Sequence, residues 1–296
     1  MHVCVAGVCR MKEAPMAGSG DARSSEGPNG AEARGEAWKT AFGDAYLDLY
    51  ASEFSESLDR TQVGDILELL EIGAGARLLD AGCGQGRHLR QFLACGLEAT
   101  GLDFSGDMLK AARRSGLPEP SLVQGDIRRP PFPDESFDAV ASLYTAFGFF
   151  DDPAEDLTAL RAFRRSLRPG GWLILETIHA GAAARSWPAD KAYPLGPSIT
   201  VRERNRLDWE LDRETGTLDQ VVTVEGPDAA PRVFATRLRI YSRQRLTHLL
   251  EAAGFVDIAC MEGLRTDPDA APSFGPLRPD SSRIACIGRR PAHADA

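Results

Sequence analysis

Leu78-Leu79-Asp80-Ala81-Gly82-Cys83-Gly84-Gln85-Gly86-Arg87-His88 is the stretch from which the fold is read: a short apolar run ends in an acid and opens into three glycines spaced two apart. The run predicts a buried strand. The glycines predict a sharp turn whose backbone approaches a ligand, because a Cβ at such a point clashes with the turn or with what it binds. A helix opening directly afterwards points its first free N–H groups at the same place. The dinucleotide fingerprint Gly-x-Gly-x-x-Gly, counted from Gly82 and Gly84, requires glycine at position 87. That position is Arg87 and the third glycine falls at Gly86, so a nicotinamide or flavin loop is not the reading.

Working downstream, Leu89, Phe92 and Leu93 form the inward face of a helix that stops at Gly96. A second strand from Glu98 to Leu102 ends at Asp103, and Ser105 can cap a helix with Met108, Ala111 and Ala112 inward. A carboxylate at that strand tip, roughly 20 residues beyond Gly82, stands beside the glycine loop and can accept two hydrogen bonds from a ribose diol. Ser121 to Gln124 is a third strand leading to Gly125-Asp126-Ile127, and the buried run Phe137 to Leu143 is a fourth, continuing as Tyr144-Thr145-Ala146-Phe147-Gly148-Phe149-Phe150. Asp152 as N-cap, Pro153, and Glu155 closing a capping box start the next helix, with Leu157, Leu160, Phe163 and Leu167 inward. Pro169-Gly170-Gly171 then turns into a fifth strand, Trp172 to Ile178.

From Ala180 to Ile240 the strand–helix rhythm gives way to period-two alternation, as in Ile199 and Val201 or Leu218, Gln220, Val222 and Val224, which predicts antiparallel strands turning at 212–216 and 226–228. Ser242 caps a last helix with Leu246, Leu249, Leu250 and Ala253 inward, and Phe255 to Met261 and Arg283 to Gly288 form two final strands. Upstream, Trp38, Phe42, Ala45 and Leu49 make one helical stripe with Tyr46 and Tyr50 beside it, and Val63, Ile66, Leu67 and Leu70 another. Residues 1–35 are small, polar and glycine-rich, and are expected to form a disordered tail.

The Asp-x-Gly-x-Gly-x-Gly loop, the acid-tipped second strand, Gly125-Asp126-Ile127 and the Arg-Pro-Gly-Gly join together resemble class I S-adenosylmethionine-dependent methyltransferases. The resemblance implies an α/β fold: a Rossmann-like, seven-stranded, mostly parallel sheet with helices on both faces, spanning 36–296, plus an antiparallel β insertion after the fifth strand (179–240) acting as lid and acceptor region. It implies S-adenosyl-L-methionine as cofactor, held by Asp80, Gly82, Gly84, Gly86, Asp103, Phe104, Met108, Asp126, Ile127 and Leu143. In that scheme Asp126 accepts from the adenine amine and Ile127 packs on the ring. Helices ahead of the first strand cap the crevice in this family, so Tyr46 and Tyr50 are either ligand contacts or core. A closer likeness, through Tyr144 to Phe150 and the Pro-Asp-Ser-Ser-Arg ending, is to bacterial enzymes that look like small-molecule methyltransferases. Tyr144, Phe147, Phe149 and Phe150 would then wall the site, and His179 and Tyr144 are the candidates for a general base. An RNA or protein methyltransferase using Arg202, Arg204, Arg206, Arg237, Arg239, Arg243 and Arg245 is one alternative. A non-catalytic cofactor-binding module is another.

Composition narrows the partners. The formal charge of −9 over 296 residues disfavours a general nucleic-acid surface. Six cysteines show neither a Cys-x-x-Cys pair nor a histidine at zinc-ligand spacing, so no metal and no disulfide framework is expected. No run reaches membrane-spanning length, and a soluble protein in a reducing cytoplasm is the expectation.

Overall fold

The computed structural model describes residues 38–50, 55–195, 198–210, 214–227, 229–267 and 272–292. The expected tail over 1–35 and parts of the turns expected at 212–216 and 226–228 lie outside these residues. Two short helices, α1 (Trp38–Ala41) and α2 (Asp44–Tyr50), precede α3 (Glu56–Leu70). The alternating unit follows as β1 (Arg77–Ala81), α4 (Arg87–Ala94), β2 (Glu98–Asp103), α5 (Gly106–Arg114), β3 (Leu122–Gln124), β4 (Phe137–Ser142), α6 (Pro153–Ser166) and β5 (Leu167–Ile178). A further helix that alternation did not predict, α7 (Ala180–Ser186), leads into β6 (Asp190–Pro194), β7 (Thr200–Glu210), β8 (Thr215–Gly226) and β9 (Ala229–Tyr241). The chain returns through α8 (Arg243–Ala252), β10 (Val256–Glu262) and β11 (Arg283–Arg289).

The main sheet has seven strands in the order β10-β11-β5-β4-β1-β2-β3, parallel from β3 to β5 and antiparallel at β11 and β10. Among the parallel strands, chain order runs outward in both directions from the β1–β4 pair, and the crevice at such a switch point is where ligands bind in open α/β sheets. Every residue of β4 is buried, as a parallel strand covered on both faces requires. Adjacent residues serve opposite faces: Leu78 packs with α3, α4 and α5 through Val63, Leu89 and Leu109, while Leu79 packs with α6 and α8 through Leu160, Phe163 and Leu246.

Most local signals match the structure, although Leu167, expected as the last inward residue of its helix, opens β5 instead. Ser105 and Ser242 accept from Met108 N and Arg245 N as N-caps. In α5 the third inward residue is Leu109 instead of Ala111. Asp152 accepts from Ala154 N, but Glu155 does not close a capping box, because its carboxylate accepts from Arg128 Nη1 at 2.5 Å. The expectation of no disulfide is also corrected: Cys260 and Cys286 face each other across β10 and β11 and are bonded, with Cα atoms 4.1 Å apart. Register between two strands made them neighbours, which spacing along the chain could not reveal.

The insertion is a four-stranded antiparallel sheet, β6-β7-β8-β9. Its alternation matches the sequence: Val201, Glu203 and Asn205 are buried while Arg202, Arg204 and Arg206 are exposed. Val201, Val222 and Val224 pack on Leu49 and Tyr50 of α2, and Leu218, Leu238 and Ile240 pack on Ile178, Ala180 and Ala183. Among the described residues no helix is long and apolar enough to cross a membrane.

Candidate functional site

The carboxyl ends of β1, β2, β3 and β4 surround one cleft, which Phe42, Tyr46 and Leu47 from the α1–α2 region close on its open side. Ser105 Oγ donates to Phe42 O at 2.7 Å and so fastens that cover to the start of α5. Tyr46 lines the cleft, whereas Tyr50 is buried against the insertion, so the two tyrosines divide between the ligand and core readings.

The loop after β1 is held by its neighbour strand. Gly82 N and Cys83 N both donate to Leu102 O, at 2.7 and 3.0 Å, and Gly84 N donates to Asp103 Oδ2 at 2.7 Å. Gly82 has φ 84°, and a Cβ there would collide with Ala146 of the segment after β4. Gly84, at φ 55°, has nothing within 4 Å of where its Cβ would stand, so its side of the loop faces the open cleft.

Three acids mark three strand ends. Asp80 is 3% exposed; burial, and then the Asp103 charge, push its carboxyl up to about 7, and its Oδ2 has no partner among the described residues. Asp103 accepts from Gly84 N through one oxygen and from Ser105 N at 2.8 Å through the other. Burial raises its carboxyl above the usual range despite those donors. Asp126 is engaged differently. Burial would raise its carboxyl, yet the Arg128 guanidinium, with Nε 2.9 Å from Oδ2, holds it below the usual range. Arg128 also reaches Glu155 and lies 4.7 Å from the Phe150 ring centre.

Of the residues expected to hold a cofactor, Asp80, Gly82, Gly84, Asp103, Phe104, Met108, Asp126, Ile127 and Leu143 come together around this cleft, as does Tyr144. Gly86 does not line it. At φ 77° it turns the chain into α4, and a Cβ there would strike Leu117, so this glycine serves packing. His179 is likewise elsewhere. It is 8% exposed, its Nδ1 lies 2.9 Å from Ser281 O, and it borders a separate depression with Glu214, Ser242 and His248. The fifth strand's end is displaced from the glycine loop by the width of β4, which the linear order of motifs concealed. Phe149 and Phe150 line the cleft, but Phe147 is buried in the core, 5.8 Å from the Tyr241 ring.

The structure adds residues that the motif reading passed over. His88 lines the cleft, with Nε2 2.8 Å from Gln62 Oε1. Gln62 Nε2 donates to Arg265 O at 2.6 Å, so its amide oxygen faces the ring and Nε2 of His88 carries the proton. Burial, and then the charges of Arg87 and Arg283, keep that imidazole neutral. Arg87 pairs with Asp59 and places its guanidinium 3.9 Å from the Tyr144 ring centre. Two polar residues directly after a glycine loop, on a helix otherwise buried through Leu89 and Phe92, were the available signal.

Among the described residues, none from the insertion lines the cleft. It supports the wall from behind: Arg239 N donates to Gly148 O at 2.7 Å, Arg239 Nη1 pairs with Asp156 at 2.5 Å, and Tyr241 donates to the same carboxylate oxygen. Several arginines considered for a basic surface are paired: Arg202 with Glu225, Arg237 with Asp219 and Arg239 with Asp156. No group of three or more His, Cys, Asp or Glu able to hold a metal occurs among the described residues.

Comparison with known proteins agrees with this geometry. A methyltransferase domain family matches residues 79–175, from β1 into β5. The chain is 34% identical over 117 residues to the dTDP-3-amino-3,4,6-trideoxy-alpha-D-glucopyranose N,N-dimethyltransferase of Streptomyces venezuelae, covering 39% of this chain and 48% of that protein. It is 33% identical over 147 residues to the malonyl-[acyl-carrier protein] O-methyltransferase of Serratia marcescens, covering 49% and 55%. The chain thus spans about half the length of these curated relatives. The fold as a whole is similar to the CcbJ methyltransferase of Streptomyces caelestis, with a TM-score of 0.67 at 19% identity over 86% of this chain and 99% of that one.

Proposed function

Because the chain belongs to the class I S-adenosylmethionine-dependent methyltransferase family, we propose that it transfers a methyl group to an oxygen, nitrogen or carbon atom of a small-molecule acceptor. The observation that carries this reading is the convergence of the Gly82–Gly84 loop, Asp80, Asp103 and Asp126-Ile127 on a single cleft.

The residues fit S-adenosylmethionine. Asp80 Oδ2 is buried in the cleft wall without a partner, a place for the ammonium of the amino-acid part. The open side of Gly84 accommodates a ligand against bare backbone. Asp103 accepts from backbone donors through both oxygens, and the lone pairs these leave are what it offers a ribose diol. Ile127, Met108 and Phe104 offer apolar surface to a ring, and Asp126 meets an exocyclic amine with whatever acceptor capacity Arg128 leaves. When bound, S-adenosylmethionine supplies a methyl group on a cationic sulfur that is displaced in line by an acceptor lone pair. The protein's own contribution is to orient and to exclude water, and Phe42, Tyr46, Phe149 and Phe150 form the dry wall that such charge neutralisation favours. Tyr144, in the same cleft, is the group placed to take a proton from a hydroxyl acceptor if it acts as the phenolate, whereas His88, held neutral with its Nε2 donating to Gln62, serves as a hydrogen-bonding group of the wall.

A small acceptor is supported by this aromatic lining and by the relative named for a nucleotide-linked amino sugar; the other relative is named for malonyl carried on an acyl-carrier protein. The insertion acts, on this reading, as a brace for the acceptor wall. Calorimetry with S-adenosylhomocysteine should give saturable binding and NAD none; tight NAD binding without any response to S-adenosylhomocysteine would reverse the assignment. Radiolabelled S-adenosylmethionine and a broad panel of small acceptors then separate an enzyme from a binding module.

A further inference from the structure

Tyr144 and Thr145, consecutive residues just after β4, carry φ values of 54° and 69°. Residues with side chains seldom enter this left-handed region, β-branched ones least of all. Such backbone persists only where the surroundings over-determine it. Here Tyr144 N donates to Glu176 Oε2 at 2.8 Å, Thr145 N donates to Glu176 O at 3.1 Å, and Thr145 Oγ1 accepts from Arg283 Nη2 at 2.8 Å. Arg283 also meets Glu176 through two bonds, Nε to Oε1 and Nη2 to Oε2, and its guanidinium lies 4.6 Å from the Tyr144 ring centre.

The pair is 1% and 0% exposed. Taking two charges out of water roughly cancels their mutual attraction, so a buried pair of this kind is a poor way to stabilise a fold. The chain also makes room for it: a Cβ at Gly263 would come within 2.7 Å of Arg283 Cβ and 2.8 Å of Glu176 Oε1. What the pair grips is the turn that presents Leu143, Tyr144, Thr145 and Ala146 to the cleft.

We propose that Glu176 and Arg283 are positioning residues for the site: their ion pair holds the Tyr144–Thr145 turn in its left-handed conformation and so shapes the cleft wall against which the ligand binds. This rests on the reading of the cleft as the cofactor site.

The test is calorimetric titration of the full-length protein with S-adenosylhomocysteine, paired with thermal unfolding of the same samples. In Glu176→Leu/Arg283→Met the charges are replaced by similar volume. The expected result is a protein that still folds, with a midpoint lowered only modestly because Tyr144 N and Thr145 Oγ1 lose their partners, and with affinity at least about tenfold weaker, as the turn relaxes. Adding Thr145→Gly should recover part of that loss, since glycine takes φ 69° without steric cost. A folded double variant that binds like the wild type overturns the proposal, and so does a triple variant with no recovery. If the double variant does not fold, Thr145→Ala in the wild-type background removes the Arg283 grip alone. Weaker binding at an unchanged midpoint then supports the proposal and unchanged binding overturns it. Wild-type protein that fails to bind S-adenosylhomocysteine would instead overturn the cofactor reading of the cleft, independently of any variant.

Discussion

Asp80, Asp103 and Asp126 stand at or just beyond the tips of three parallel strands, whereas Arg202, Arg204 and Arg206 are strung along the exposed face of β7 and Arg202 pairs sideways with Glu225. The difference follows from how each sheet is covered. With α3, α4 and α5 on one face of the seven-stranded sheet and α6 and α8 on the other, strand interiors are closed to nearly all polar groups. Charge is thereby pushed to the strand ends, where the cleft forms. The four-stranded sheet has one wet face, so charge spreads along it without converging anywhere. One region concentrates chemistry because its middle is dry, and the other braces the wall because its chemistry is dilute.

If that contrast is right, the largest effects on ligand binding come from strand tips. Asp103→Ala should weaken S-adenosylhomocysteine binding by about a hundredfold, since hydrogen bonds to a charged acceptor contribute roughly 1.5–3 kcal/mol each. The same substitution should lower the unfolding midpoint, because Gly84 N and Ser105 N lose their acceptor. An unchanged midpoint would show that the loop holds itself.

Next comes the pH dependence of Asp80. Burial pushes its native carboxyl up to about 7 from the ordinary aspartate value of 3.8, so the ligand-free protein loses stability as pH rises through that interval and levels off above it. Ligand binding has the opposite sign: an ammonium needs the ionised acid, so affinity should fall about tenfold per pH unit below 7. Asp80→Asn should flatten both dependences, as calorimetry and thermal scans from pH 5.5 to 8.5, a range of about three units, would reveal.

Smaller effects belong to the brace. Val222→Ala, beneath Leu49 and Tyr50 of α2, should cost about 1–2 kcal/mol of stability and reduce ligand affinity by no more than about fivefold. Complete loss of binding would erase the division of labour between the sheets. Smallest of all, Arg202→Ala on the exposed face should change stability by less than about 0.5 kcal/mol and leave binding untouched. An RNA-binding loss in that variant would revive the macromolecular acceptor.

The core was legible because each signal is local. Strand, loop, cap and inward stripe all lie within one turn or one strand of sequence, and their alternation points to a parallel α/β sheet. What escaped depends on residues far apart along the chain. Arg128 engages Asp126 and bridges it to Glu155; Gly86 answers to Leu117; Cys260 meets Cys286 only through strand register. Glu176 and Arg283 pair across the β5–β11 boundary, and an acid inside the apolar run Trp172 to Ile178 was the one clue to them. His179 lies outside the cleft for a related reason: two strand ends look equivalent in sequence, while β4 separates them in space.

Asp103 binds its own backbone whether or not a ligand is present, and this changes what the residue can testify to. In a descendant whose turnover had decayed, the acid would still be selected, because the loop and the cap of α5 would fail without it. Its presence is therefore a signature of architecture. Asp80 also accepts from the backbone of Leu89, but its Oδ2 has no partner among the described residues, so that oxygen is left for a ligand. Between a working copy and a retired one, the carboxylate oxygen Asp80 Oδ2 is the feature whose retention reports on use.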